Sequence, residues 1–268
     1  AAHKNGIKVH IWFETFYVGN INPKYNSKSI LAQKPTWANI TKKNFDSQEP
    51  VPSLSEHNGY FLDPANPDVQ AFLLELLDEI ITQYKPDGIN LDYIRYPQSI
   101  AAKFSSYDLS NWGYTQYART EFQQEYGIDP VELVYSDANW TYWDNYRRGK
   151  VTDFVSKVNN LIRNKNIMLT AVIFPDRQKA LETKQQDWKT WSKCGYIDGF
   201  TPLLLTTDSE TAALMIKDVN NNKSPDTALY AGLFSTFMNA GNDDLLRQIH
   251  VARPLNSKGI ILFDYAHL

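Results

Sequence analysis

Apolar residues recur along this chain in two alternating rhythms. From Asp68 to Tyr84 they fall at helical spacing, and Lys85-Pro86-Asp87-Gly88 then breaks the helix and starts a strand. In that strand Ile89, Leu91 and Tyr93 alternate with Asn90, Asp92 and Ile94, and Pro97 ends the run. Upstream, Ile7, Val9, Ile11 and Phe13 alternate with Lys8, His10 and Trp12, which predicts a strand over 7–13. Ala1 to Gly6 reads as the last turn of a helix with Gly6 at its C-cap. Downstream the pattern predicts helices over 114–126, 140–163, 186–192, 209–219 and 243–252, and strands over 167–174, 196–205, 228–233 and 259–263. Within 140–163 the apolar stripe is Tyr142, Tyr146, Val151, Phe154, Val155, Val158, Leu161 and Ile162, with Arg147, Arg148, Lys150 and Lys157 outside it.

Six strands separated by crossover-length connections imply a parallel sheet covered by helices. Two segments, 15–66 and 97–140, are far longer than ordinary connections and rich in Asn, Pro, Ser and aromatic residues, so they are expected to lie over a functional face. Acids and aromatics follow the strands, where a (β/α) barrel builds its active site. Six units are two short of a closed ring. The expected architecture is an α/β fold, a (β/α)8 TIM-type barrel lacking its first two βα units, in a single domain over 1–268. No Gly-x-Gly-x-x-Gly follows any strand, which disfavours a dinucleotide site.

Composition narrows the function. With 268 residues, 43% of them hydrophobic, the chain can bury a sizeable core. A net charge of -3 with scattered Lys and Arg argues against nucleic acid or an anionic membrane as partner, and no apolar run is long enough to span a bilayer. The 13% aromatic content suits sugar rings and suits core packing equally. Cys194 is the only cysteine, expected as a buried structural thiol. Five scattered His and one Cys offer no metal-ligand spacing, so neither metal nor cofactor is expected, and there is no Gly-x-Ser-x-Gly.

Gly59-Tyr60-Phe61-Leu62-Asp63-Pro64-Ala65-Asn66-Pro67, Asp87-Gly88-Ile89-Asn90-Leu91-Asp92-Tyr93-Ile94-Arg95-Tyr96-Pro97, Gln186-Asp187-Trp188 with Trp191, and Gly195-Tyr196-Ile197-Asp198 resemble, in order and spacing, the bacterial glycosyl-hydrolase-like family 10 proteins. His3 to Trp12 looks like that family's third barrel strand, and Gly259 to Tyr265 like its eighth. The resemblance implies a barrel without its first two units, acting on a polysaccharide or peptidoglycan-type glycan, in an extracellular or envelope-associated protein. Two departures touch the substrate side. Glu14-Thr15-Phe16 stands where the family often has Asn-Pro-Tyr, and Leu203-Leu204-Leu205 where Met or Gln followed by Tyr is common.

Glycosidic cleavage calls for two carboxyl groups, one protonated and one ionised. Asp92, ending a buried strand, is the first candidate; Glu14 and Asp176, after two other strands, compete to be its partner, with Asp264, after the last strand, behind them. The first three have structural alternatives: a salt bridge to Arg95 for Asp92, a solvated loop acid for Glu14, a helix cap for Asp176. His10, Trp12, Asn90, Tyr93, Arg95, Tyr96, Asp264 and Tyr265 are the expected substrate contacts. Asp63 reads as a turn residue, and Asp187 and Asp198 as scaffold. The function expected is glycoside hydrolysis; the rivals are a non-catalytic glycan-binding protein on the same barrel, and a lyase or transglycosylase.

Overall fold

The computed structural model describes residues 1–99, 109–234 and 241–264. Six strands, β1 (His10–Glu14), β2 (Gly88–Asp92), β3 (Met168–Ile173), β4 (Gly199–Leu204), β5 (Ala228–Leu233) and β6 (Gly259–Leu262), form one sheet in sequence order. Every neighbouring pair is parallel. Helices α1 (Ile30–Gln33), α2 (Pro67–Tyr84), α3 (Gln116–Tyr126), α4 (Trp140–Ile162), α5 (Arg177–Lys184), α6 (Trp188–Lys193), α7 (Ser209–Asn222) and α8 (Asn242–Ala252) fill the connections.

The sheet is a half-barrel and not a closed ring among the described residues: β1 pairs with β2 alone and β6 with β5 alone. It nevertheless curls strongly. Trp12, on one edge strand, meets Phe263, just past the other, edge-on with ring centroids 4.7 Å apart.

A repeated device sets the lower ends of the strands. A polar residue just ahead of a strand's first glycine accepts an N–H from the preceding strand or its approach, which fixes the register before the ladder begins. Asp87 accepts from Val9 N at 2.7 Å, Asp198 from Leu169 N at 2.7 Å, and Ser257 Oγ from Ala231 N at 3.2 Å. Gly88 itself is required by packing, since a Cβ there would lie 2.3 Å from His10 Nδ1.

Asn66 caps α2 by accepting from Asp68 N, Pro67 occupies its first turn, and Val69, Leu73, Leu77 and Ile81 bury the stripe that the spacing predicts. Full burial of each such side chain contributes ~1.5–3 kcal/mol. In α4 the lower half, Val151 to Ile162, joins this core, while Trp140, Trp143 and Tyr146 form a second cluster with Tyr114 and Phe122. Arg147 does not lie outside the stripe as its charge suggests. It is fully buried, its guanidinium donating to Asn111, to Trp112 O (2.9 Å) and to Asp144 (2.5 Å), which is how a cation is tolerated in that cluster.

Other expectations shift. The first strand starts at His10, because Ile7 is exposed and pairing begins only where Asp87 and Val9 exchange hydrogen bonds. Cys194 is exposed, not buried, because it follows the outer end of α6. Gly6 takes the left-handed C-cap conformation, but behind a short 3-10 turn. Segment 15–66 is a chain of single turns pinned by buried Phe16, Leu31, Ile40, Phe61 and Leu62.

Candidate active site

The register of β1 and β2 determines which side chains meet. His10, Trp12 and Glu14 align with Gly88, Asn90 and Asp92, all on the concave face of the sheet, while Ile11, Phe13, Ile89 and Leu91 point toward the helices. Glu14 and Asp92 are therefore opposite one another at the C-terminal ends of adjacent strands, whose spacing is about 4.8 Å.

Asp92 is fixed on both carboxylate oxygens. Oδ2 accepts from Trp12 Nε1 at 2.9 Å, and Oδ1 from the Tyr93 backbone N–H at 2.6 Å. Tyr93 adopts φ +48°, a conformation that costs a bulky side chain ~1–3 kcal/mol and that follows directly on the aspartate. Its ring is clamped by Tyr17, stacked at 4.5 Å, with Phe61 edge-on at 5.9 Å. Gly59 serves this clamp, because a Cβ there would strike the Tyr17 ring at 2.1 Å.

Burial raises the Asp92 carboxyl, and the Tyr93 N–H, the Arg95 charge and the Trp12 N–H pull it back toward the ionised form. Glu14 opens to solvent at the mouth. Partial withdrawal from water, and after it the charge of Asp92, raise its carboxyl. Both carboxyls are therefore raised; what distinguishes them is that Asp92 carries two N–H donors that favour its ionised form, while Glu14 faces solvent and the charge of Asp92.

The remaining expected contacts scatter. Asn90 sits one layer below, its Oδ1 accepting from Thr170 Oγ1 (3.0 Å) and Thr201 Oγ1 (3.3 Å), so it ties three strands beneath the pair. Trp12 is half exposed on the concave face and His10 is exposed below it. Asp264 is half-buried two residues past β6, beside the Phe263 that packs on Trp12; Tyr265 lies outside the described residues. Tyr96 is buried and presents no surface to a ligand, because the chain turns inward there to pair its N–H with Lys184 O. Asp176 caps α5, its Oδ1 accepting from Lys179 N at 2.9 Å, which is the structural role the sequence allowed it. Asp63 accepts from Ala65 N and Thr115 Oγ1 as a turn residue, and Asp187 caps α6.

Arg95 is neither a substrate contact nor the partner of Asp92. It is buried, and both terminal nitrogens bind Glu56, at 2.8 and 3.0 Å. Lys184 reaches the same carboxylate at 3.2 Å and lies 4.0 Å from the Phe174 ring centroid. Burial alone would raise Glu56, but the two cations outweigh it and hold the carboxyl low. Lys184, the more distant cation, is pushed down to about 7 by burial and then by Arg95. The guanidinium also packs over Tyr93 at 4.8 Å, so this cluster supports the residue whose N–H holds Asp92. Sequence reasoning missed Glu56 and Lys184; no local pattern marks them, because the polar run Thr183 to Gln186 is buried only by the fold.

Among the described residues no three His, Cys, Asp or Glu side chains gather as a metal site, and no helix is long and apolar enough to cross a membrane.

The sequence profile of the family described as Glycosyl hydrolase-like 10 matches residues 1–242. Glycosyl hydrolase DigH of Escherichia coli K12 is 24% identical over 167 residues, covering 61% of this chain and 31% of that protein. An S-layer-related protein of Niallia circulans is 22% identical over 97% of this chain and 18% of its own length. The chain thus spans less than a third of either relative. In fold it is similar to an α-galactosidase from Lactobacillus brevis (TM-score 0.58, 16% identity, 99% of this chain and 28% of that one). It is also similar to the GH36 α-galactosidase AgaA from Geobacillus stearothermophilus (TM-score 0.54, 13% identity, 99% and 29%).

Proposed function

The chain belongs to the glycosyl hydrolase-like 10 family, and from that premise we propose that it hydrolyses glycosidic bonds of a polysaccharide or peptidoglycan-type glycan with Glu14 and Asp92 as its paired carboxyl groups. The observation that carries this reading is the in-register placement of the two acids at the mouth of the sheet, with two N–H donors fixed on one of them. Asp92 is the anion, and Glu14 the acid that protonates the leaving oxygen. Acids on adjacent strands at about 4.8 Å spacing fit the short separation of a retaining mechanism better than the wider gap that accommodates a water molecule. In that mechanism the Asp92 carboxylate attacks the anomeric carbon, the bond to the leaving oxygen breaks as Glu14 delivers its proton, and water then hydrolyses the glycosyl ester with Glu14 as base. Trp12, half exposed, offers an aromatic face beside the pair.

Two consequences go with the reading. The unpaired edges of β1 and β6 leave room for two further βα units that would complete an eight-stranded ring in the whole protein, and an extracellular or envelope location would bring it to such glycans. The S-layer-related relative favours a second reading, a glycan-binding scaffold on the same sheet, which would have no need of the paired acids.

The test is Glu14→Gln on two substrates. Turnover of a glycan with a sugar leaving group should fall by roughly 10²–10⁴, while the first step on a nitrophenyl glycoside, whose leaving group needs no proton, should be spared. Equal losses on both would remove Glu14 as the acid, and an inverted anomer in the product NMR spectrum would exclude the covalent route.

A further inference from the structure

On the flank of the half-barrel, α4, α5 and α6 line an open cavity of about 500 Å³. Arg148, Arg177, Lys189 and Lys193 line it, against the single carboxylate of Asp187. That carboxylate is engaged locally, accepting from Thr190 Oγ1 at 2.7 Å and capping α6. Arg148 donates to Leu181 O and Asp144, and Lys189 to Asn222. Among the described residues Arg177, half-buried, and Lys193 have neither an ion-pair nor a hydrogen-bond partner.

The chain is net negative at -3, and several cations elsewhere on its helices are matched by nearby acids: Arg119 with Asp129 at 2.6 Å, Lys150 with Glu121 at 2.6 Å, Lys165 with Asp78 at 2.7 Å. Arg177 and Lys193 bring two uncompensated cations to one cavity, an electrostatic cost that a bound anion would offset. The cavity also holds a hydroxyl suited to an anion. Thr152 Oγ1 accepts from Trp191 Nε1 at 3.0 Å, which leaves its own O–H to donate.

We propose that this cavity binds an oxyanion, a phosphate or a carboxylate group, through Arg177, Lys193, Arg148 and the Thr152 hydroxyl. Guanidinium forks match both groups, and arginine stays charged at every physiological pH, so the site does not titrate away. The two sources of such a group are a free ion and an anionic polymer strand. A polymer held there would be retained on the outside of the sheet while another stretch of it occupied the mouth.

The experiment is titration calorimetry at low salt with two probes, inorganic phosphate and a short oligogalacturonate, on the wild type and on the Arg177→Ala/Lys193→Ala variant. Both side chains are outside the core and the carboxylate pair, so the variant should keep its melting temperature and its turnover of a small neutral glycoside. One-to-one binding of either probe, weakened at least about tenfold in the variant, supports the site: phosphate alone assigns a free ion, and the oligomer, alone or with phosphate, assigns a polymer. No saturable binding of either probe, or binding that the double substitution leaves unchanged, overturns it. Binding is read without turnover, so the result is independent of whether the chain hydrolyses glycans.

Discussion

Glu56→Gln should destabilise the protein more than any other charge-neutralising change on its surface or in its loops, although Glu56 belongs to a segment with little regular structure. Its carboxylate accepts two hydrogen bonds from Arg95, one from Lys184 and one from the Gln98 N–H, and all three charged side chains are withdrawn from water. Removing one partner of a buried ion pair costs about 3–5 kcal/mol, because the remaining charge is left uncompensated. Glu49→Gln gives the contrast: its 3.2 Å contact with Lys24 is 60% exposed on the acid side, and exposed pairs are worth about 0–1 kcal/mol. The pH dependence adds a second signature. Lys184 drops from 10.5 in the unfolded chain to about 7 in the fold. Below about 7 both states hold the proton and the penalty for burying it is complete; between about 7 and 10.5 the unfolded chain binds more protons, so stability rises with pH. Without Glu56 the amine is pushed lower still, and the gap between variant and wild type should be widest below pH 7 and narrow above it. Urea unfolding followed by tryptophan fluorescence from slightly acid to moderately alkaline pH measures both. A loss below ~1 kcal/mol, or a gap that ignores pH, would refute the account of this cluster.

Trp12→Phe keeps an aromatic ring on the concave face but removes the N–H that favours ionised Asp92, so the acid limb of the pH–kcat/KM profile should move to higher pH; an unmoved limb contradicts that role. Asp63, fully buried, is raised from 3.8 to about 6 mainly by burial, so its contribution to stability is complete below 3.8 and lost as pH rises through about 6, on the order of 3 kcal/mol in all. Asp63→Asn should flatten the stability profile between these limits, and an unchanged slope in urea unfolding would count against it. Gly88→Ala should cost about 1–3 kcal/mol through the 2.3 Å clash with His10, and adding His10→Ala should recover most of it; two additive losses would mean that the ring is not the obstacle.

The sheet was legible because its strands are short apolar or alternating runs between breakers, and crossover-length connections make neighbours parallel; their order in sequence is what a barrel requires. Asp92 was legible for the opposite reason, as an acid where an apolar residue belongs. The first strand was off by three residues at its start, His10 against Ile7, since pairing is set by Asp87 and Val9, which sequence alone cannot bring together, and by one at its end, Glu14. Helix α5 went unseen because, in Arg177 to Lys184, only Ala180 and Leu181 are apolar, too few to show a period; its cap, Asp176, consequently stood among the acids. The Glu56 cluster was out of reach for a different reason: its partners are 39 and 128 positions away, and nothing local marks a carboxylate as buried. Tyr96 shows the limit of proximity in sequence, being four residues from Asp92 yet turned into the core.

The central claim is that Asp92 and Glu14 together cleave a glycan. Its most direct test is mass-spectrometric detection of products after the full-length protein, wild type or Asp92→Asn, is incubated with a panel of polysaccharides that includes peptide-free peptidoglycan strands. The account predicts new reducing ends from at least one glycan with the wild type, and none with Asp92→Asn at an unchanged melting temperature. Undiminished release by the variant, or no release from any glycan by the wild type, would contradict it.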